Sequence, residues 1–181
     1  MYKEYPQLKK GSITMKEISI EQLKVNPVTL IGGEWALLTA GNKENGFNTM
    51  TVSWGHIGEL WNKPTTVVYV RPQRYTKEFI DKEDMYTLSF FPEGHKKELS
   101  YLGAHSGRDE DKLAKTSLTP VFDGDSTYFE QAKLVLVCKK LFRLPMTAEA
   151  FLDKSLIDSF YKAGDFHEIY AGEIVKVLVN E

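Results

Sequence analysis

Three short stretches of this sequence gather hydroxyls, amides and cations closely enough to suggest chemistry. The first is Asn48-Thr-Met-Thr-Val-Ser-Trp54. Along a strand, alternation puts Asn48, Met50, Val52 and Trp54 on one face and Thr49, Thr51 and Ser53 on the other. Such a strand suits an edge that meets a flat polar heterocycle through backbone and side-chain hydrogen bonds. A half-exposed amphipathic strand rich in β-favouring Thr has the same pattern, and spacing alone does not separate the two. The second stretch is Arg71-Pro-Gln-Arg-Tyr-Thr76, at a strand end and helix start. Free N–H groups at a helix start attract anions, and Arg71, Arg74 and Thr76 could add contacts to a phosphate. Surface ion pairs and a simple helix-start Thr are the commoner explanation locally. The third is Ser106-Gly-Arg-Asp-Glu-Asp-Lys112, where Gly107 permits close backbone approach and Lys112 adds a cation. Three adjacent carboxylates also make it an ordinary charge-balanced turn.

Other chemistries lack their residues. There is no Gly-rich dinucleotide or phosphate loop and no nucleophile elbow. His56, His95, His105 and His167 are scattered without metal-ligand spacing, and each reads as a surface or hydrogen-bonding residue. The lone Cys138 sits in the apolar run Leu134–Cys138 and reads as a small buried hydrophobe. With 23 Lys+Arg against 25 Asp+Glu, the net charge is −2, and no basic stripe points to nucleic acid or an anionic membrane. The N-terminus lacks the apolar stretch of a signal peptide, and no run approaches membrane-spanning length, so the expected location is the cytoplasm.

Strands must position these groups. At 181 residues the chain is long enough for one domain with a real core. Residues 1–18 read as an N-terminal arm and 19–181 as the domain. A short helix is expected over Ile18–Leu23. Strands are expected at about Glu34–Ala40 and Phe47–Trp54, joined by the Gly/Asn-rich turn 41–46. Further strands are expected at Thr65–Val70, Met85–Phe91, Thr127–Phe142 and Ile169–Val179. Short helices fall at Tyr75–Lys82 and Lys96–Leu102, and a helical turn follows Lys112. Strands dominate and helices are inserts, which argues for an antiparallel barrel.

In order and spacing, these segments resemble the flavin reductase-like family with the FMN-binding split-barrel fold, its flavoredoxin-like members above all. The matching residues are Trp35-Ala-Leu-Leu-Thr-Ala-Gly41, Asn48-Thr-Met-Thr-Val-Ser-Trp-Gly55, Lys63-Pro64, Tyr69-Val-Arg-Pro-Gln-Arg-Tyr-Thr76, Tyr86-Thr-Leu-Ser-Phe90, Ser106-Gly-Arg-Asp-Glu-Asp-Lys112 and Gly172-Glu-Ile174. The resemblance spans roughly residues 20 to 180. It implies a mainly β, antiparallel, Greek-key-like split barrel with short helical insertions, and a homodimer with FMN near the interface. It also implies roles. Asn48, Met50, Thr51, Val52, Ser53 and Trp54 would line the flavin, with backbone groups of Met50, Thr51 and Val52 at its polar edge and Trp54 near the ring. Arg71, Tyr75 and Thr76 would hold the ribityl phosphate, and Ser106, Gly107 and Lys112 would close that side. No protein residue is expected to be catalytic, because the chemistry belongs to flavin N5. Electrons would pass from NAD(P)H through FMN to a flavin, a protein or a small acceptor. The alternative is a non-enzymatic FMN-binding electron carrier, and a third reading is a barrel that binds no flavin.

Overall fold

The computed structural model describes residues 15–180. Residues 1–14, most of the expected arm, lie outside the described residues. Lys16–Ile18 forms β1, which pairs with the C-terminal strand.

The Gly/Asn turn does what its residues allow. β2 (Ala36–Asn42) and β3 (Gly46–Val52) form an antiparallel hairpin with Ala40 opposite Asn48. Asn42 Oδ1 accepts from Glu44 N at 2.9 Å and Asn45 N at 2.8 Å. Gly41 has φ +102° and lies so close to Gly46 that a Cβ would stand 2.2 Å from the Gly46 carbonyl oxygen.

Most of the expected strands form, with two differences. β4 (Gly55–Leu60) and β5 (Lys63–Val70) make a hairpin where only the second strand is expected. Its two-residue turn, Trp61-Asn62, has φ 57° at both positions, as a primed hairpin turn requires. Trp is an uncommon turn residue, and Gly55 and Gly58 dilute the strand pattern. The single stretch expected over Thr127–Phe142 is two strands. β7 (Pro120–Asp123) and β8 (Ser126–Phe129) form a small hairpin, and β9 begins afresh at Leu134 and runs to Pro145. The chain bends between them because Glu130 N donates to Thr119 O and Lys133 N to Phe90 O.

With β6 (Met85–Phe90) and β10 (Glu168–Val179), the strands run β3-β2-β6-β9-β10-β5-β4, all antiparallel. β3 and β4 end this order, so among the described residues each has one edge unpaired with another strand. The order is the mainly β, antiparallel architecture expected, with helices as insertions.

The central strands are buried on both faces. Leu38, Leu88, Leu136 and Tyr170 point into the barrel. Leu37, Val135 and Val137 point outward, beneath α2 (Lys96–Ala104) and the β7–β8 hairpin, where Leu99, Leu102 and Phe129 cover them. That explains why β2 reads as a continuous apolar run rather than an alternating one. α1 (Thr76–Lys82) closes one end of the barrel and inserts Ile80. Ion pairs fix it there: Lys77 reaches Asp81 and Glu168, each at 2.7 Å, while Arg143 on β9 pairs with Asp81 at 3.3 Å and also with Glu168.

Cys138 is fully buried, and burial pushes its thiol up to about 12. It lies 3.3 Å from Thr66 Oγ1, which also hydrogen-bonds Tyr86 Oη at 2.7 Å. The Tyr86 ring fits against Gly172, at a register shift in β10. A Cβ there would meet Tyr86 Oη at 2.5 Å and the ring at 2.7 Å. Gly172→Ala should therefore destabilise the fold by roughly 1–3 kcal/mol, the cost of overpacking a fixed core. A chemical denaturation midpoint equal to the parent's would contradict this packing.

Candidate functional site

The free edge of β3 runs past two clefts. One, of about 270 Å³, is lined by Met50, Thr51, Val52, Ser53 and Trp54, with Tyr69, Arg71, Arg74, Gly103 and His167 facing them. The other, of about 490 Å³, lies at the start of β3, between Asn48, Tyr75 and Phe79 on one side and the 107–113 loop on the other. Strand order makes the first cleft's donor set: β3 is terminal, so its outward N–H and C=O groups are not spent on another strand.

Strand alternation sorts the side chains largely as expected. Met50 and Val52 are buried in the barrel core. Thr49 and Thr51 face the other way: Thr49 Oγ1 lies 2.9 Å from Thr39 Oγ1, and Thr51 Oγ1 donates to Leu99 O. What Met50 and Val52 can offer a ligand is therefore their backbone. Ser53 and Trp54 lie beyond the strand's end. Trp54 is 45% exposed, with its ring edge-on to Phe160 at 5.4 Å.

The C-terminal end of α2 organises the opposite wall. A helix leaves its last carbonyls unpartnered, and its C-terminus carries partial negative charge. Here cations satisfy them. Arg74 Nη1 donates to Gly103 O at 2.7 Å; Lys112 Nζ donates to Leu102 O at 2.8 Å and His105 O at 3.1 Å. Lys112 is only 4% exposed. Burial, and then the neighbouring Arg74 charge, bring its pKa down to about 8, with Glu110 opposing them only in part. Burial, and then Arg71, also lower Arg74. Among the described residues neither forms an ion pair with a carboxylate. Arg71 differs: it pairs with Asp165, donates to Phe160 O at 2.9 Å and lies over the Tyr161 ring.

The remaining expected residues stand around the second cleft or behind it. Thr76 is almost wholly buried, and its Oγ1 accepts from Asn48 Nδ2 at 2.8 Å. Gly107 packs on this pair: a Cβ would lie 2.4 Å from Asn48 Oδ1 and 3.1 Å from the Tyr75 ring. Ser106 Oγ accepts from Arg108 N at 3.2 Å and shapes the loop. Arg108 then lies over the Tyr75 ring at 4.8 Å and pairs with Glu78. Met50, Thr51, Val52, Ser53, Trp54 and Arg71 thus share the first cleft, while Asn48, Tyr75, Gly107 and Lys112 line the second. Thr76 and Ser106 buttress the structure behind them.

Tyr69, Gly103 and His167 line the first cleft without being singled out in the sequence. Tyr69 lies within the segment Tyr69–Thr76 but carries no local signal of its own. His167 arrives through register: β10 pairs Glu168 with Val70, which brings the preceding His167 to the end of β5. No sequence spacing encodes that approach across nearly a hundred residues.

A model of the flavin reductase like domain matches residues 29–181. The chain belongs to that family. A comparison with curated proteins finds no significant match. Among solved structures, the fold is similar to an FMN-binding domain of a flavin reductases-like enzyme from Shewanella baltica (TM-score 0.66, 14% identity, covering 93% of this chain and 78% of that one). It is also similar to flavoredoxin of Desulfovibrio vulgaris (TM-score 0.63, 23% identity, 81% and 69% covered). A third is the NADH:FAD oxidoreductase of Streptomyces globisporus, solved with NAD and FAD fragments (TM-score 0.57, 17% identity, 80% and 73% covered). These likenesses show the split-barrel fold of the family. No helix among the described residues of this flavin reductase-like chain is long and apolar enough to cross a membrane.

The buried Lys112 has a measurable consequence. Its folded pKa of about 8 lies below the ordinary 10.5. The unfolded chain therefore holds this proton more tightly, and the penalty is fully present below about pH 8. Stability gained from relieving it rises between about 8 and 10.5. Lys112→Met should remove this rise. Parallel pH–stability curves for variant and parent across that window would show that Lys112 is not held as described.

Proposed function

We propose that this chain binds FMN along the free edge of β3 and works as a flavin reductase-like oxidoreductase. The observation that carries the reading is a pair of largely buried cations, Arg74 and Lys112, without ion-pair partners among the described residues, beside an unpaired strand edge. Buried charge without a paired counter-charge is costly; Glu110 offsets Lys112 only in part, and a bound anion would offset the rest. A flat heterocycle with donors and acceptors along one rim matches a strand edge, and a phosphate matches the cations. Family membership and the FMN, NAD and FAD named for the neighbouring structures support the same reading.

In this reading the backbone of Met50, Thr51 and Val52 hydrogen-bonds the ring's polar rim, with Ser53 beside it. Trp54 supplies an apolar wall. Arg74, with Arg71 behind it, faces the phosphate. Thr76, locked by Asn48, sets the geometry with Tyr75, while Ser106, Gly107 and Lys112 hold the loop and the α2 end that close this side. When bound, FMN supplies hydride acceptance from NAD(P)H at N5 and onward delivery of electrons to a flavin, a protein or a small acceptor. The residues' work is to bind, orient and exclude water.

The homodimer belongs to this reading too. Trp54 and, against it, Phe160 stay exposed at the first cleft, which supports a partner covering it. Mass in solution checks that point.

The visible spectrum of the purified protein, with FMN titration, is the primary test. Stoichiometric uptake is expected. Arg74→Met should weaken it by about 1–3 kcal/mol, the worth of a charge-assisted hydrogen bond. Affinity should fall as pH rises past about 8, where Lys112 loses its charge. No uptake, or an affinity indifferent to both changes, refutes the site. Anaerobic NADH or NADPH should then bleach the flavin absorbance. Bleaching by neither, with reduction by a protein donor, favours the electron carrier.

A further inference from the structure

His167 lines the first cleft between Trp54 and Tyr69, with ring centroids 5.4 and 6.3 Å away. Its Nδ1 lies 2.8 Å from Tyr161 Oη. Tyr161 has one proton to donate, and its other acceptor is Met146 Sδ at 4.0 Å. A thioether is a weak acceptor, and an imidazole nitrogen at the shorter distance is the better one. The proton therefore points to Nδ1, and a neutral imidazole then carries its own proton on Nε2.

The surroundings keep that ring neutral. Burial, and then Arg71, bring His167 down to about 4, and Asp165 opposes them only in part. Arg71 also lies 5.2 Å over the Tyr161 ring and pairs with Asp165, which fixes the residue that holds the imidazole. Tyr69 is the other titratable group facing it, and burial raises its hydroxyl. Among the described residues Nε2 has no hydrogen-bond partner. A neutral N–H set between aromatic rings suits an uncharged oxygen on a flat ring, whereas a carboxylate or phosphate would favour the arginines nearby.

We propose that Tyr161 is a positioning residue, holding His167 with Nε2–H turned into the cleft to receive the conjugated carbonyl oxygen of a flat ring bound beside the flavin. This rests on the FMN reading. Two ligands share the chemistry: the carboxamide of a nicotinamide and the aldehyde or ketone of a small aromatic acceptor.

Two measurements test the proposal. Long-range ¹H–¹⁵N NMR of the histidines, on protein without added FMN at neutral pH, should show His167 protonated on Nε2. In Tyr161→Phe the two tautomers should mix. A proton on Nδ1 in the parent, or an unchanged tautomer in the variant, overturns the positioning role. The FMN-loaded protein is then titrated with nicotinamide mononucleotide and, separately, with 4-hydroxybenzaldehyde, following the flavin spectrum. At least one should bind, and Tyr161→Phe should weaken it about tenfold while taking up FMN as the parent does. The probe that binds identifies the source of the carbonyl. Binding by neither, or equal binding by parent and variant, overturns the proposal. Failure to take up FMN instead strikes the reading beneath it, and the NMR result still decides the tautomer.

Discussion

The C-terminal end of α2 is the constraint on which the rest of the site depends. Its carbonyls need donors, and Arg74 and Lys112 provide them from two separate parts of the chain, while Thr51 packs against Gly103 and donates to Leu99 O one turn earlier. One helix end thereby gathers the edge strand, the entry to α1 and the 106–112 loop. The partial negative charge of the helix end helps make two buried cations tolerable without a carboxylate ion pair among the described residues. That compensation is incomplete, as the low pKa of Lys112 shows. The helix thus holds positive charge in place while leaving part of it uncancelled.

A second set of ties works at long range. Lys77, Asp81, Arg143 and Glu168 join α1 to β9 and β10, so the helix that follows Arg74 and Tyr75 is fixed to the barrel wall. Glu168 also adjoins His167. The network therefore sets both sides of the first cleft from one end of the barrel. The segment after β9 completes the wall, with Asp165 held by both Arg71 and Gln73.

Much of this was legible in the sequence where a local rule applied. Gly41 and Gly46 announced the β2–β3 hairpin, and the β-branched run before Arg71 announced β5. The clustered polar segments come together around two clefts beside β3. What was not legible came from contacts distant in sequence or from atypical local chemistry. Trp61 occupies a turn position that usually takes Gly or Asn, so no local signal marks the β4–β5 turn. A backbone bend divides the apolar stretch after Thr127. Lys112 reads as a loop cation, but its charge is turned inward to carbonyls that only the folded helix creates. His167 reads as one scattered histidine until the β5–β10 register brings it to the cleft.

The terminal position of β3 also has a cost. An edge with unspent donors and acceptors is a template for any extended chain, including another copy of this one. Proteins commonly blunt such edges with prolines or inward-pointing charges, and β3 carries neither. Keeping the edge available to a small molecule keeps it available to strand addition. In the proposed reading, a flavin seated there would also guard against self-association, and the protein without it would be the form more exposed to strand addition.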